Sequence, residues 1–147
     1  MTPDVSMSWS ARSVALAIAV ACVVPLLFAG TLTPSPTGME THRQLGLPSC
    51  TWPGMLGIPC ITCGMTTAFA LAVRGSVVSA FLVQPAGALL CGLVAVGAVV
   101  AAWSAVSGRP VHRLLLPLAR PRSAWVSAGL LAAAWIWKIA SVRGGAA

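Results

Sequence analysis

Three stretches of this chain, residues 13–29, 86–107 and 123–140, are long runs of alanine, valine, leucine and glycine with only Lys138 charged among them. A helix of 17 to 22 residues is about 25 to 33 Å long, which matches the hydrocarbon core of a bilayer. Of the 147 residues 58 % are hydrophobic and 7 % are charged, where a soluble domain carries about a quarter charged residues. A core of this size cannot hide so much apolar surface, and lipid can. The expected fold is an all-α integral membrane protein, a single membrane domain over 1–147.

The first run, 13–29, follows Arg12 and reads as a transmembrane helix that Pro25 should kink or interrupt. A secretory signal peptide is the rival. The run is long for one, and the small-residue signal at Ala29 and Gly30 is poor, so a retained helix is favoured. Residues 30–56 carry prolines, glycines, Glu40, His42 and Arg43 and read as an aqueous loop, since irregular backbone goes unpaired among lipid tails. Trp52 marks its return to the headgroups. Residues 59–74 predict a short interfacial or re-entrant helix stopped by Gly75, and a second short piece breaks at Pro85. Then come a transmembrane helix at 86–107, a basic turn at 108–122 with Arg109, His112, Arg113, Arg120 and Arg122, and a last transmembrane helix at 123–140. Lys138 near its end is placed to snorkel to the interface.

Three crossings put five of the nine basic residues (Arg12, Arg109, Arg113, Arg120 and Arg122) in the cytoplasm and the cysteines outside. A fourth crossing at 59–73 would put either the basic turn outside or the cysteines inside. The net charge of +7 suits anionic headgroups, not nucleic acid, because the basic residues mark the ends of apolar runs and form no stripe. Membrane lipids are the expected partners. Small residues four apart, Gly87 and Cys91, then Ala124, Ala128 and Ala132, predict close helix packing, and other membrane-protein subunits are possible partners.

The chemistry concentrates in His42, Cys50, Cys60 and Cys63, spaced H-x7-C-x9-C-x2-C. On a helix, Cys60, Cys63, Thr67 and Arg74 would share one face. Three readings follow. Cys50, Cys60 and Cys63 with His42 would make a Cys3His set suited to zinc, although strong zinc motifs have two paired spacings. Cys60 at a helix start would have a lowered pKa suited to thiol–disulfide exchange. A disulfide from Cys50 to Cys60 or Cys63 would staple the loop in an oxidising compartment. A c-type haem needs C-x-x-C-H, and residue 64 is glycine, so no haem attachment motif exists. Cys22 and Cys91 lie inside apolar runs and read as packing residues. Thr66 and Thr67 are expected to bond back to helix carbonyls.

The run from Cys50 through GIPCITCGMTTAFALAVRG to AFLVQPAGALL resembles a group of small bacterial membrane proteins known as domain of unknown function 2752. The residues that carry the resemblance are Cys50, Gly57, Pro59, Cys60, Cys63, Gly64, Met65, Thr66, Gly75 and Pro85. Where that family usually has Pro-Gly between the cysteines this chain has Ile61 and Thr62. Where members often carry arginine it has Thr67, and Ser76 stands where many carry an acid. The resemblance implies an integral protein of the bacterial cell membrane with a cysteine motif near one surface, and no activity. The leading functional expectation is a non-enzymatic subunit or scaffold whose outward motif is held by a disulfide or a metal. The alternatives are a membrane thiol–disulfide oxidoreductase using Cys60 and Cys63, and a metal-binding membrane protein.

Overall fold

The computed structural model describes residues 7–110 and 121–144. Most of the basic turn expected at 108–122, with His112, Arg113 and Arg120, lies outside the described residues. The fold is all-helical, 74 % helix, with no strand among the described residues. The helices are α1 (Trp9–Thr31), α2 (Trp52–Leu56), α3 (Met65–Val73), α4 (Val77–Val83), α5 (Pro85–Ser107) and α6 (Pro121–Arg143), with a 3-10 turn at Thr41–Leu45. Three of them, α1, α5 and α6, are long and apolar enough to cross a membrane.

Each long helix reaches beyond its apolar run, because caps and not hydropathy set helix ends. The Ser8 side chain accepts from the Ala11 amide at 3.3 Å, so α1 begins at Trp9, before the expected 13. Pro25 does not end it, and the helix continues to Thr31. In lipid, freeing a whole turn of backbone costs more than losing the bond that proline cannot make. Likewise α5 starts on Pro85, where the missing amide is harmless at the first helical position.

The sorting of side chains is inverted relative to a soluble protein. The buried apolar residues are mostly alanines, among them Ala15, Ala19, Ala68, Ala80, Ala88, Ala98 and Ala101. The largest fully buried side chains are Gln84, Thr41, Thr67 and Ser104. Leu16, Ile18, Leu27, Phe28, Leu93, Val99 and Ile136 face outward. Small residues let helix backbones approach closely, and the large apolar ones meet the surrounding lipid. The ridge expected on α5 does pack: Cys91 is buried, and a Cβ on Gly87 would stand 3.0 Å from the Ala68 Cβ. On α6, Ala128 and Ala132 are exposed, and the buried residues are Ala134 and Lys138, nearer its end.

Helices α1 and α5 form an antiparallel pair, and an arginine from another element bonds the last carbonyls of each. At one end Arg12 donates to the carbonyls of Ala105 at 2.8 Å and Val106 at 3.0 Å, and the Met7 amide donates to Gly108 at 2.8 Å. At the other end Arg74 donates to the carbonyls of Leu32 and, at 3.2 Å, Gly30. Both guanidiniums thus bond to the last carbonyls of a helix, where the dipole favours a cation. Helices α3 and α4, with 9 and 7 residues, are too short to cross; they fold back on each other at Gly75 and pack on α5. The hairpin therefore returns the chain to the end where α1 stops and α5 begins.

Arg74→Met should lower stability in mild detergent by about 1–2 kcal/mol, since charged donors to two otherwise unpaired carbonyls are lost. Thermal denaturation of the purified protein checks this, and Arg43→Met, whose Glu40 partner is exposed, should change little.

Candidate functional site

Cys60 and Cys63 do not lie on a helix. The Cys63 amide donates to the Cys60 carbonyl and the Met65 amide to Thr62, both at 3.0 Å, so the motif is two overlapping turns that lead into α3 at Met65. The shared face expected for Cys60, Cys63, Thr67 and Arg74 is therefore absent. Gly64 is the reason: its φ of +87° is left-handed, which stops the helix from extending back through the cysteines. A Cβ there would also stand 2.8 Å from the Gly38 carbonyl oxygen and 3.3 Å from the Lys138 ammonium. Gly57 has the same left-handed geometry, at φ +65°, and ends α2 just before the motif.

Side chains from two separate elements hold this turn by its backbone, and a third contact ties the loop onto α3. Trp135 on α6 donates its indole N–H to the Pro59 carbonyl at 2.9 Å. Gln84, between α4 and α5, donates its amide to the Ile61 carbonyl at 3.0 Å. Thr67 pairs with Thr41 at 2.8 Å across a fully buried contact, and Thr41 in turn accepts from the Ser35 amide at 3.0 Å. Thr67 thus anchors the loop onto α3 and does not bond back along its own helix. The loop is tied again where the Gln44 side chain bonds both backbone groups of Thr33, at 2.7 and 2.9 Å.

Inside this frame Cys50, Cys60 and Cys63 come together. They line a cavity of about 340 Å³ with His42, Thr62, Gly64, Met65 and Thr66. The Cys60 Sγ lies 3.5 Å from the Thr62 Oγ1, within hydrogen-bonding reach. All five cysteines are free thiols; Cys22 and Cys91 stand apart on α1 and α5. The His42 Nε2 is engaged with the Pro48 carbonyl at 3.1 Å. Among the described residues no three or more His, Cys, Asp or Glu side chains stand in a metal-holding arrangement.

The two motif thiols are electrostatically unlike. Burial pushes Cys60 up, but hydrogen bonds from the Thr62 side chain, Cys50 and the Thr62 backbone outweigh it and leave the thiol below its ordinary value. Cys63 is pushed up to about 11, chiefly by burial and then by Cys60 and Cys50, with Lys138 opposing. One thiol is thus partly exposed and held below its ordinary value, and its neighbour is buried and pushed up.

Several residues of the site carry no obvious sequence signal. Gln84 is a lone amide before a proline. Lys138 reads as a snorkelling lysine, yet it is only 2 % exposed and its ammonium lies against Gly64 and Gly38. Trp135 reads as an interfacial aromatic. What could have marked them is the polarity of the Gln84 and Lys138 side chains at the ends of apolar helices.

An all-helical chain with three membrane-spanning helices and a cysteine turn set at one end is a multi-pass membrane protein. Within it, residues 50–104 match the family described as "Protein of unknown function (DUF2752)", in agreement with the resemblance drawn from the motif. No curated protein and no solved structure matches the chain.

Two outcomes follow. Gly64→Ala should cost about 1–3 kcal/mol of stability, because a left-handed backbone and a contact with a backbone oxygen are both imposed; melting in detergent reads it. Thiolate is the reactive form and its fraction rises with pH, so alkylation of Cys60 should set in at lower pH than that of Cys63. Peptide mapping after iodoacetamide treatment between pH 6 and pH 10 tests the order.

Proposed function

We propose that this protein is a membrane-anchored thiol–disulfide exchange site in a bacterial cell membrane, with its cysteine end facing outward. The observation that carries the reading is the meeting of three thiols at one cavity, two of them in a turn held by Trp135 and Gln84. A staple is not needed there, because noncovalent bonds fix the same segment. The outward orientation is supported by Arg12 and Arg109, which lie at the opposite end of the α1–α5 pair, in accord with the positive-inside rule.

The chemistry balances with an external disulfide as co-reactant. The Cys60 thiolate attacks one sulfur of that disulfide, forming a mixed disulfide and releasing one thiolate. A second cysteine of the cluster, as thiolate, attacks the Cys60 sulfur and displaces the other. The protein loses two electrons and two protons, and the external disulfide becomes two thiols. Run backwards, the same steps reduce the protein with an external dithiol.

The scaffold reading remains as the second: a small membrane subunit whose motif is fixed in place by a disulfide or a metal such as zinc. It is favoured by the absence of any strand–helix alternation around the cysteines among the described residues.

With oxidised glutathione as the co-reactant, the purified wild-type protein should release two equivalents of glutathione and form an internal disulfide. Cys60→Ser should slow the release at least about tenfold, since the attacking thiol is removed. Equal release by wild type and Cys60→Ser, with the variant merely less stable, would instead favour the scaffold.

A further inference from the structure

We propose that the cysteine cavity passes its electrons to a quinone with an apolar tail. The quinone binds in a lipid-facing groove between α1, the 3-10 turn and α3, which adjoins the cavity at Met65 and Thr66. The proposal rests on the exchange reading above and names the class of oxidant that closes the disulfide.

The groove has a volume of about 440 Å³. Its α1 wall is Val24, Pro25, Phe28 and Ala29, near the end of a membrane-spanning helix. Val24 and Phe28 are exposed, so the groove opens on the side that meets lipid. Phe69 on α3 and Leu45 on the 3-10 turn line it from elsewhere, so two aromatic rings face the same space. An apolar cleft of this size with a few polar groups at one end is the common form of a small-molecule site.

The polar end is the cysteine cavity. Met65 and Thr66, in the first turn of α3, line the groove and also line the cavity with Cys50, Cys60 and Cys63. The 3-10 turn serves both spaces as well, giving His42 to the cavity and Leu45 to the groove. Two sets of bonds fix that turn over the start of α3. One is Thr41 to Thr67 at 2.8 Å, and the other is the Gln44 side chain to Thr33 at 2.7 and 2.9 Å. The two spaces therefore meet at a fixed boundary. Thr66 supplies a hydroxyl there, a donor for a quinone oxygen beside the thiols.

Access selects the acceptor. A peptide disulfide reaches thiols from water, whereas a groove walled by a membrane-spanning helix is reached through lipid. A tailed quinone dissolves in lipid, and its head accepts what a pair of thiols gives up. The Cys60 thiolate adds to a ring carbon, and a ring oxygen takes one proton. A second thiol of the cavity, as thiolate, attacks the Cys60 sulfur and forms the sulfur–sulfur bond. The ring leaves with the electron pair of the carbon–sulfur bond, and its other oxygen takes the second proton. The protein loses two electrons and two protons, and the quinone becomes the hydroquinone. Either remaining thiol of the cavity satisfies this balance.

The test uses the full-length protein, reduced, in mild detergent, with decylubiquinone as the probe. Quinone loss is followed by ultraviolet absorbance, and the remaining thiols are counted by alkylation and mass spectrometry. The wild type should reduce one quinone for each pair of thiols lost, and Cys60→Ser should not. Val24→Trp fills the groove from its exposed side and should slow quinone reduction about tenfold or more, by displacing the ring from the thiols. Its release of glutathione from glutathione disulfide, which needs the cavity alone, should stay at the wild-type rate. If Val24→Trp does not assemble, Leu45→Trp fills the groove from the loop and makes the same comparison. Quinone reduction unchanged by filling the groove overturns the inference. So does a wild type that releases glutathione but reduces no quinone, the result expected of a groove that holds only a lipid chain; the exchange reading then stands. No reaction with either oxidant overturns both.

Discussion

A backbone carbonyl that faces lipid has no water to bond, and this fold is arranged around that constraint. The exposed carbonyls at the end of α1 and of α5 are taken by Arg74 and Arg12, each reaching from a different element. The same device holds the cysteine turn, whose carbonyls at Pro59 and Ile61 are taken by Trp135 and Gln84. Satisfying the backbone therefore does two jobs. It lets irregular chain sit beside the membrane-spanning helices, and it fixes where the thiols stand. The exception among the described residues is the Gln84 Oε1, buried without a partner; aiming the amide at Ile61 leaves the other half of the group unpaired.

Packing follows from the same solvent. Lipid tails are as apolar as leucine, so burying large apolar side chains between helices gains little. Close approach through alanine and glycine, with polar contacts between elements, is what remains. Ala68 against Gly87 shows the first, and Thr67 with Thr41 the second. The cysteine site grows out of this economy of space: α3 can start beside α5 only where residues are small, and the turn before it is pressed against α6. A position that is merely small elsewhere in the bundle becomes, at Gly64, the seat of an ammonium group.

The class of fold was legible because lipid solubility demands long apolar runs, and those runs are visible without any partner. The grouping of Cys50 with Cys60 and Cys63 was also suggested by their spacing, and the structure does bring them to one cavity. The local form of the motif was not. A C-x2-C pair suits a helix by periodicity, but the left-handed φ of Gly64 outranks periodicity and makes it a turn. Helix ends were misplaced for a related reason, since hydropathy begins at Ser13 whereas the capping oxygen is at Ser8. Lys138 and Trp135 belong to the site through contacts 74 or more residues distant in sequence, and no local pattern encodes such contacts.

Covalent closure of the cysteine pair would add little to the architecture. In the chain-entropy picture a disulfide spanning a loop this short is worth about 2 kcal/mol even when the segment is otherwise free. Here the segment is not free, because its carbonyls, its glycine and the first turn of α3 are already fixed, so the remaining gain is smaller. A bond with little to stabilise can be made and broken with little strain on the fold around it. The environments of Cys60 and Cys63 are unequal in any case: hydrogen bonds hold the first below its ordinary value, and burial pushes the second up.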